Sequence, residues 1–172
     1  MSNLEQWLDE LVKSNGVTSK TELTPQMLIN EIGEVESAIQ NERIWSAGAE
    51  NMSDAAQHEL NASEQTIYLI HLRDLLRNCK AVTEYSLCLN IYSDPDELPF
   101  RITFLISANV SEKSLREKLA DARDSVDQIK HPDIEEHFFA VLDETVKQFE
   151  FGYWHQSELQ SLHNRENLWE VK

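Results

Sequence analysis

Two stretches in the middle of the chain alternate apolar and polar residues with a period of two, and residues 94–99 separate them. This alternation is typical of strands that bury one face, and the intervening segment contains two prolines, which favour a turn. We therefore predict an antiparallel hairpin at about 84–106. Because an isolated hairpin is marginal in water, other elements must cover its apolar face. That face would consist of Tyr85, Leu87, Leu89, Ile91, Phe100, Ile102, Phe104 and Ile106.

The sequence before the hairpin has the periodicity of helices, with a cap at the start of each. Ser2 with Glu5 predicts a capping box for a first helix. Thr24 followed by Pro25 predicts the start of a second helix, which extends to about Trp45. Its apolar stripe consists of Leu28, Ile32, Val35 and Ile39.

Three further segments complete the predicted architecture. Residues 54–79 predict one bent helix or two, and residues 111–129 predict a helix with an apolar seam of about 3.5-residue spacing, which is typical of helix pairing. A last helix begins at about 133 and ends before Gly152. We predict an α+β fold of five or six helices around a small antiparallel sheet. A chain of 172 residues favours a single domain, 1–172.

The net charge of −16 is the least ordinary property of the composition. Acidic residues are spread along the chain, and such a charge disfavours binding to a phosphate backbone or an anionic membrane. It favours a basic protein partner, or imitation of nucleic acid towards a DNA-binding protein. Net charge also keeps a small protein in solution, so a role in solubility alone is the alternative.

The location that we predict is the cytoplasm. The N-terminus has neither the basic start nor the apolar core of a signal peptide, and no apolar run is long enough to span a membrane. Cys79 and Cys88 lack the spacing of a metal site and are expected to be reduced thiols.

Few residues in the sequence suggest catalysis, phosphate binding or metal binding. The four glycines are too far apart to form a phosphate-binding loop, and the six histidines show no i,i+4 pair for a metal. The sequence therefore predicts no catalytic residues and no cofactor.

One segment, residues 28–39, resembles the first metal-binding helix of the all-α nucleoside triphosphate pyrophosphatases of the MazG type. The resemblance implies that Glu31 and Glu34 hold Mg²⁺ together with a second carboxylate pair on a neighbouring helix. Residues three apart share a helix face, and hard oxygen ligands suit Mg²⁺. The segment that would supply the second pair begins with Glu59 but has Ala62 in place of the second acid, and the hairpin is foreign to that family. The alternative function is thus a Mg²⁺-dependent pyrophosphatase relative, active or degenerate, that uses Glu31, Glu34 and Glu59.

The function that we favour is a non-enzymatic module that binds a basic protein through an acidic surface, as an inhibitor, an immunity protein or a nucleic-acid mimic would. A third hypothesis is a structural subunit in which the seam of residues 115–129 pairs with another chain. The sequence does not set an oligomeric state. The predicted partner-binding residues are Asp94, Asp96, Glu97, Asp133, Glu135, Glu136, Tyr153 and Trp154.

Overall fold

The computed structural model describes residues 2–89, 100–127 and 134–157. Their contacts divide the chain into two compact units, Met1–Cys79 and Lys80–Lys172. The first unit is helical, and the second combines the sheet with two helices. The predicted α+β class is confirmed, whereas a single domain over 1–172 stays a prediction. No helix in the described ranges is both long enough and apolar enough to cross a membrane.

The first unit consists of three α-helices and one turn of 3₁₀-helix. These are α1 (Asn3–Ser14), the 3₁₀ turn (Lys20–Glu22), α2 (Pro25–Gly48) and α3 (Met52–Arg77). The long helices α2 and α3 pack along each other, and α1 packs on α3. The ion pair between Arg73 Nη2 and Glu36 Oε1, at 3.2 Å, joins α2 to α3.

Both predicted helix caps of this unit are present. The Ser2 side chain accepts from the Glu5 backbone N–H, and the Glu5 side chain accepts in return from the Ser2 backbone N–H. Thr24 Oγ1 accepts a hydrogen bond from the Met27 backbone N–H at 3.3 Å. The predicted stripe of α2 is buried in full: Leu28, Ile32, Val35 and Ile39.

The second unit is built on a three-stranded antiparallel sheet with the order β1-β2-β3. Its strands are β1 (Val82–Leu89), β2 (Phe100–Ser107) and β3 (Tyr153–Ser157), and its helices are α4 (Glu112–Asp127) and α5 (Ile134–Lys147). The predicted hairpin forms with Leu87 opposite Ile102 and Tyr85 opposite Phe104. The third strand was not predicted.

The described part of the apolar face of the hairpin is covered as its periodicity requires, and Ile91 lies outside the described residues. Leu87, Leu89, Ile102, Phe104 and Ile106 form one cluster with residues of α4 and α5. Four of the five are fully buried, and Leu87 is 3% exposed. The partners from the two helices are Leu115, Leu119, Phe138, Leu142 and Val146.

The seam of α4 is part of this core. Leu115 and Leu119 lie in the cluster, and Val126 is also buried. The helices α4 and α5 pack on each other through this seam, and Ile129 lies outside the described residues. The surface that was expected to pair with another chain is thus occupied within the unit.

Candidate functional site

An open cleft lies where the three α-helices of the first unit meet. Its volume is about 430 Å³, which is in the range of small-ligand sites. Each of α1, α2 and α3 contributes side chains, so the cleft exists only when the unit is folded. The lining residues are Trp7, Glu10, Leu11, Ser14, Glu31, Glu34, Val35, Ala38, Gln65 and Tyr68.

The contribution of α1 follows from its helical phase. Trp7, Glu10, Leu11 and Ser14 recur at intervals of three and four and therefore share one face. Leu11 is buried and anchors that face, whereas Trp7 is half-buried. The ring of Trp7 lies 5.3 Å from that of Tyr68 on α3, at an interplanar angle of 45°. An aromatic pair therefore forms one wall of the cleft.

The contribution of α2 is a carboxylate pair. Glu31 and Glu34 are three residues apart, and the buried positions Ile32 and Val35 fix the rotation that turns both acids towards the cleft. Tyr68 Oη donates a hydrogen bond to Glu31 Oε1 at 3.0 Å. This bond orients the Glu31 carboxylate.

The Tyr68 hydroxyl remains a donor because of its surroundings. Burial raises the pKa of Tyr68, and the negative charge and hydrogen bond of Glu31 and the charge of Glu10 raise it further. Ionisation of the phenol would put a third negative charge beside two carboxylates. The cleft therefore combines carboxylate charge with a neutral phenol at ordinary pH.

The carboxylates of the cleft have no cationic partner in the part of the chain that the structure describes. Within the described residues, Glu10, Glu31 and Glu34 form no ion pair, and the only hydrogen bond of Glu10 comes from Gln6 Nε2 at 3.0 Å. Other acids of α2 are paired: Glu36 with Arg73, and Glu42 Oε2 with His58 Nδ1 at 2.7 Å. None of the lining residues is Lys, Arg or His. The cleft thus concentrates negative charge that the described residues do not neutralise.

Gln65 adds an unsatisfied polar atom to the same wall. Its Oε1 is shielded from solvent and has no hydrogen-bond partner in the described part of the chain. A buried acceptor without a partner costs on the order of 1–3 kcal/mol.

The structure separates the three residues of the metal hypothesis. Glu31 and Glu34 line the cleft, but Glu59 is exposed on α3 and is not among the lining residues. The α3 residues that do line the cleft are Gln65 and Tyr68, which are also three apart. Neither is an acid, so a neutral pair stands where a second carboxylate pair would be required. In the described ranges, no three His, Cys, Asp or Glu side chains are grouped so that they could hold a metal ion.

The predicted partner-binding acids fall in two groups. Asp94, Asp96, Glu97 and Asp133 lie outside the described residues. Glu135 and Glu136 lie in the first turn of α5, where their charges favour the helix N-terminus. Glu136 is exposed and Glu135 is half-buried. Glu135 and Glu136 belong to the second unit, which does not contain the cleft.

The predicted aromatic residues pack within the second unit. Tyr153 is 8% exposed. Trp154 stacks on Phe139, with ring centroids 5.6 Å apart and an interplanar angle of 4°. Its Nε1 donates a hydrogen bond to Asp143 Oδ1 at 3.1 Å. These contacts attach β3 to α5, and a role for Tyr153 and Trp154 in partner binding stays a prediction.

A second surface feature of the first unit is an apolar stripe on α3. Leu60, Ile67 and Ile70 are 54%, 53% and 49% exposed. They are spaced by seven and three residues and so share one face of the helix, while the buried residues Leu69 and Leu72 lie on its core side. We call Leu60, Ile67 and Ile70 the outer stripe.

The thiol of Cys79 is a weak nucleophile in this structure. Burial raises the pKa of its thiol, which donates to the carbonyl oxygen of Leu75 at 3.3 Å. The thiolate is the nucleophilic form, so a raised pKa lowers the reactivity of the residue. Within the described residues, neither Cys79 nor Cys88 forms a disulfide bond.

Sequence reasoning identified two of the cleft residues, Glu31 and Glu34, and missed Trp7, Glu10, Gln65 and Tyr68. The one signal in the sequence was the shared spacing of Trp7 and Glu10 on α1, which indicates a common face but not what that face meets. No family model, no curated protein and no solved structure matches this chain.

Proposed function

We propose that this protein is an acidic protein-binding module that acts on a basic partner, in the manner of an inhibitor, an immunity protein or a nucleic-acid mimic. The observation that carries the proposal is the cleft of the first unit. Among the described residues, its titratable lining groups are three carboxylates and one phenol, and none of its lining residues is basic. A cation is the group that this arrangement attracts.

The electrostatic argument is one of uncompensated charge. Carboxylates in a concave wall reinforce one another's potential, because field lines are focused where low-dielectric walls limit screening. The chain carries −16 in total, so a basic partner is attracted at long range before it meets the cleft. Such charges raise the association rate and select against acidic competitors.

The outer stripe supports a partner of protein size. Charge alone selects and accelerates encounters, whereas buried apolar groups supply much of the affinity of a protein interface. Leu60, Ile67 and Ile70 offer apolar area on the same unit as the cleft. A partner with both basic and apolar surface would use both features.

We place this encounter in the cytoplasm. The proposal is supported by Cys79 and Cys88, which form no disulfide in the described part of the chain, as is usual where the environment is reducing. Cys79 is held in a hydrogen bond to its own helix.

The test is affinity capture from a lysate at low and high ionic strength, with the partner then purified and its affinity measured directly. A cleft variant, Glu10→Gln with Glu31→Gln and Glu34→Gln, removes three charges. A matched control variant, Asp9→Asn with Glu50→Gln and Glu59→Gln, removes three charges from exposed positions that do not line the cleft.

We expect a basic partner whose affinity falls with salt and falls much further in the cleft variant than in the matched control. A third variant, with Asp94, Asp96 and Glu97 changed to Lys, tests the predicted turn acids in the same assay. If the affinity of the partner changes neither with ionic strength nor in any of the three variants, the electrostatic mechanism is refuted.

A further inference from the structure

We infer that the cleft is a subsite for one arginine side chain of the basic partner. The inference rests on the proposed function in one respect, namely that the guanidinium belongs to an arginine of a basic protein partner. The cleft's preference for that chemical group stands on its own geometry. Two features, its carboxylates and its aromatic wall, each match a different property of guanidinium.

The carboxylates match its charge and its shape. A guanidinium presents five N–H donors in a planar fork and can bond two oxygens of one carboxylate or one oxygen from each of two. Glu31 and Glu34 present such a pair from one face of α2, with Glu10 facing them from α1. Tyr68 bonds Glu31 through Oε1, and within the described residues Oε2 accepts no hydrogen bond. Acceptors for several donors are therefore available.

The aromatic wall matches the flat faces of the group. Guanidinium stacks on aromatic rings and is more weakly hydrated than an ammonium group, so it loses less on leaving water. Trp7 is half-buried in the wall and packs near Tyr68, so one of its faces is held in place. A lysine ammonium gains less from such a wall because it has no planar face.

The test uses small probes and the full chain, so that it does not depend on finding the partner. N-acetyl-arginine amide, N-acetyl-lysine amide and N-acetyl-citrulline amide are titrated by calorimetry at low salt. Citrulline keeps the shape of arginine and lacks its charge. We expect arginine to bind at least about tenfold more tightly than lysine, and citrulline to bind still more weakly, which is the scale of one charge-assisted hydrogen bond.

Two substitutions assign the binding to the cleft. Glu34 is exposed, and Glu34→Gln should weaken arginine binding about tenfold. Glu59→Gln removes the same charge elsewhere on the unit and should leave arginine binding unchanged. Trp7→Leu should reduce the preference for arginine over lysine while both probes still bind. Circular dichroism of each variant verifies that the unit is folded.

Any one of four results would overturn the inference. The arginine probe could bind no more tightly than the lysine probe, no more tightly than the citrulline probe, or not at all. The fourth result is an equal loss of arginine binding in Glu34→Gln and Glu59→Gln. Failure of the proposed function looks different. In that case the arginine probe binds in the cleft, but no protein is retained by the wild type and lost by the cleft variant.

Discussion

The hydrogen bond between Tyr68 and Glu31 links the stability of the first unit to the charge in its cleft, and Tyr68→Phe isolates it. The substitution keeps the ring and its contact with Trp7, and removes one donor that lies 3.0 Å from Glu31 Oε1. Tyr68 is 4% exposed, so no water replaces the bond from its side. A hydrogen bond to a charged group contributes about 1.5–3 kcal/mol. Because the Glu31 carboxylate is half-buried and can be hydrated from the cleft, we expect a loss of about 1–2 kcal/mol.

Urea denaturation followed by far-ultraviolet circular dichroism measures this loss as a lower midpoint with an unchanged slope. The matched control is Tyr85→Phe, whose hydroxyl donates to the carbonyl oxygen of Val110 at 2.8 Å. That acceptor is neutral, so the expected loss is smaller, about 0.5–1 kcal/mol. If Tyr68→Phe costs no more than Tyr85→Phe, the Tyr68–Glu31 bond does not have the charge-assisted strength that we assign to it.

The same residue gives a signed pH dependence. The folded-state pKa of Tyr68 is raised, first by burial and then by the charges of Glu31 and Glu10. The unfolded chain therefore loses this proton near the ordinary tyrosine pKa of about 10, while the folded protein retains it. The stabilisation is complete below about pH 10 and is lost as the pH rises further. The urea midpoint of the wild type should fall more steeply above about pH 10 than that of Tyr68→Phe, and parallel curves would contradict the assignment.

Two pairs of substitutions test the packing of each unit by thermal or urea denaturation. Gly33→Ala should stabilise the protein by about 0.5–1 kcal/mol, because Gly33 lies within α2 and an added methyl group meets nothing within 4 Å. Gly152→Ala should destabilise it by at least about 1–3 kcal/mol, because the methyl group would overlap the carbonyl oxygen of Val146. Leu72→Ala should cost about 2–5 kcal/mol because Leu72 is fully buried, whereas Leu60→Ala on the outer stripe should change stability by less than about 0.5 kcal/mol. A reversed order within either pair would refute the packing described for that position.

Local signals in the sequence were sufficient for the elements whose determinants are local. Ser2 with Glu5, and Thr24 with Pro25, predicted two helix starts because a cap depends on residues three positions apart. The hairpin was predictable because apolar residues recur at every second position in 85–91 and 100–106. Its register then follows from pairing apolar with apolar residues, as in Leu87 with Ile102.

The sequence left α3 ambiguous because it contains cap-forming residues in its interior. In the structure α3 is one continuous helix whose N-cap is Asn51. Ser63 Oγ and Thr66 Oγ1 donate to the carbonyl oxygens of Glu59 and Ala62, at 2.9 and 2.7 Å. Hydroxyls that bond back to their own helix do not end it, which a sequence alone does not distinguish from capping.

The third strand and most of the cleft depend on contacts between distant parts of the chain. Residues 153–157 become a strand by pairing with β2, about fifty positions earlier in the chain. The cleft requires Trp7 and Tyr68 to meet, and their helices must first pack in a particular rotation. Glu31 and Glu34 could be predicted from the sequence because they are neighbours on one helix. Gln65 and Tyr68 line the same cleft only because α3 packs against α2.

The most direct test of the central claim, that a cation binds in this cleft, is to map where N-acetyl-arginine amide binds by heteronuclear NMR of the isotope-labelled full chain. We predict that the probe shifts the indole N–H of Trp7 and the backbone amides around Glu10, Glu34 and Gln65, and that these shifts are lost in Glu34→Gln. Shifts that fall instead in the second unit, or that scatter over exposed carboxylates and follow salt alone, would contradict the claim.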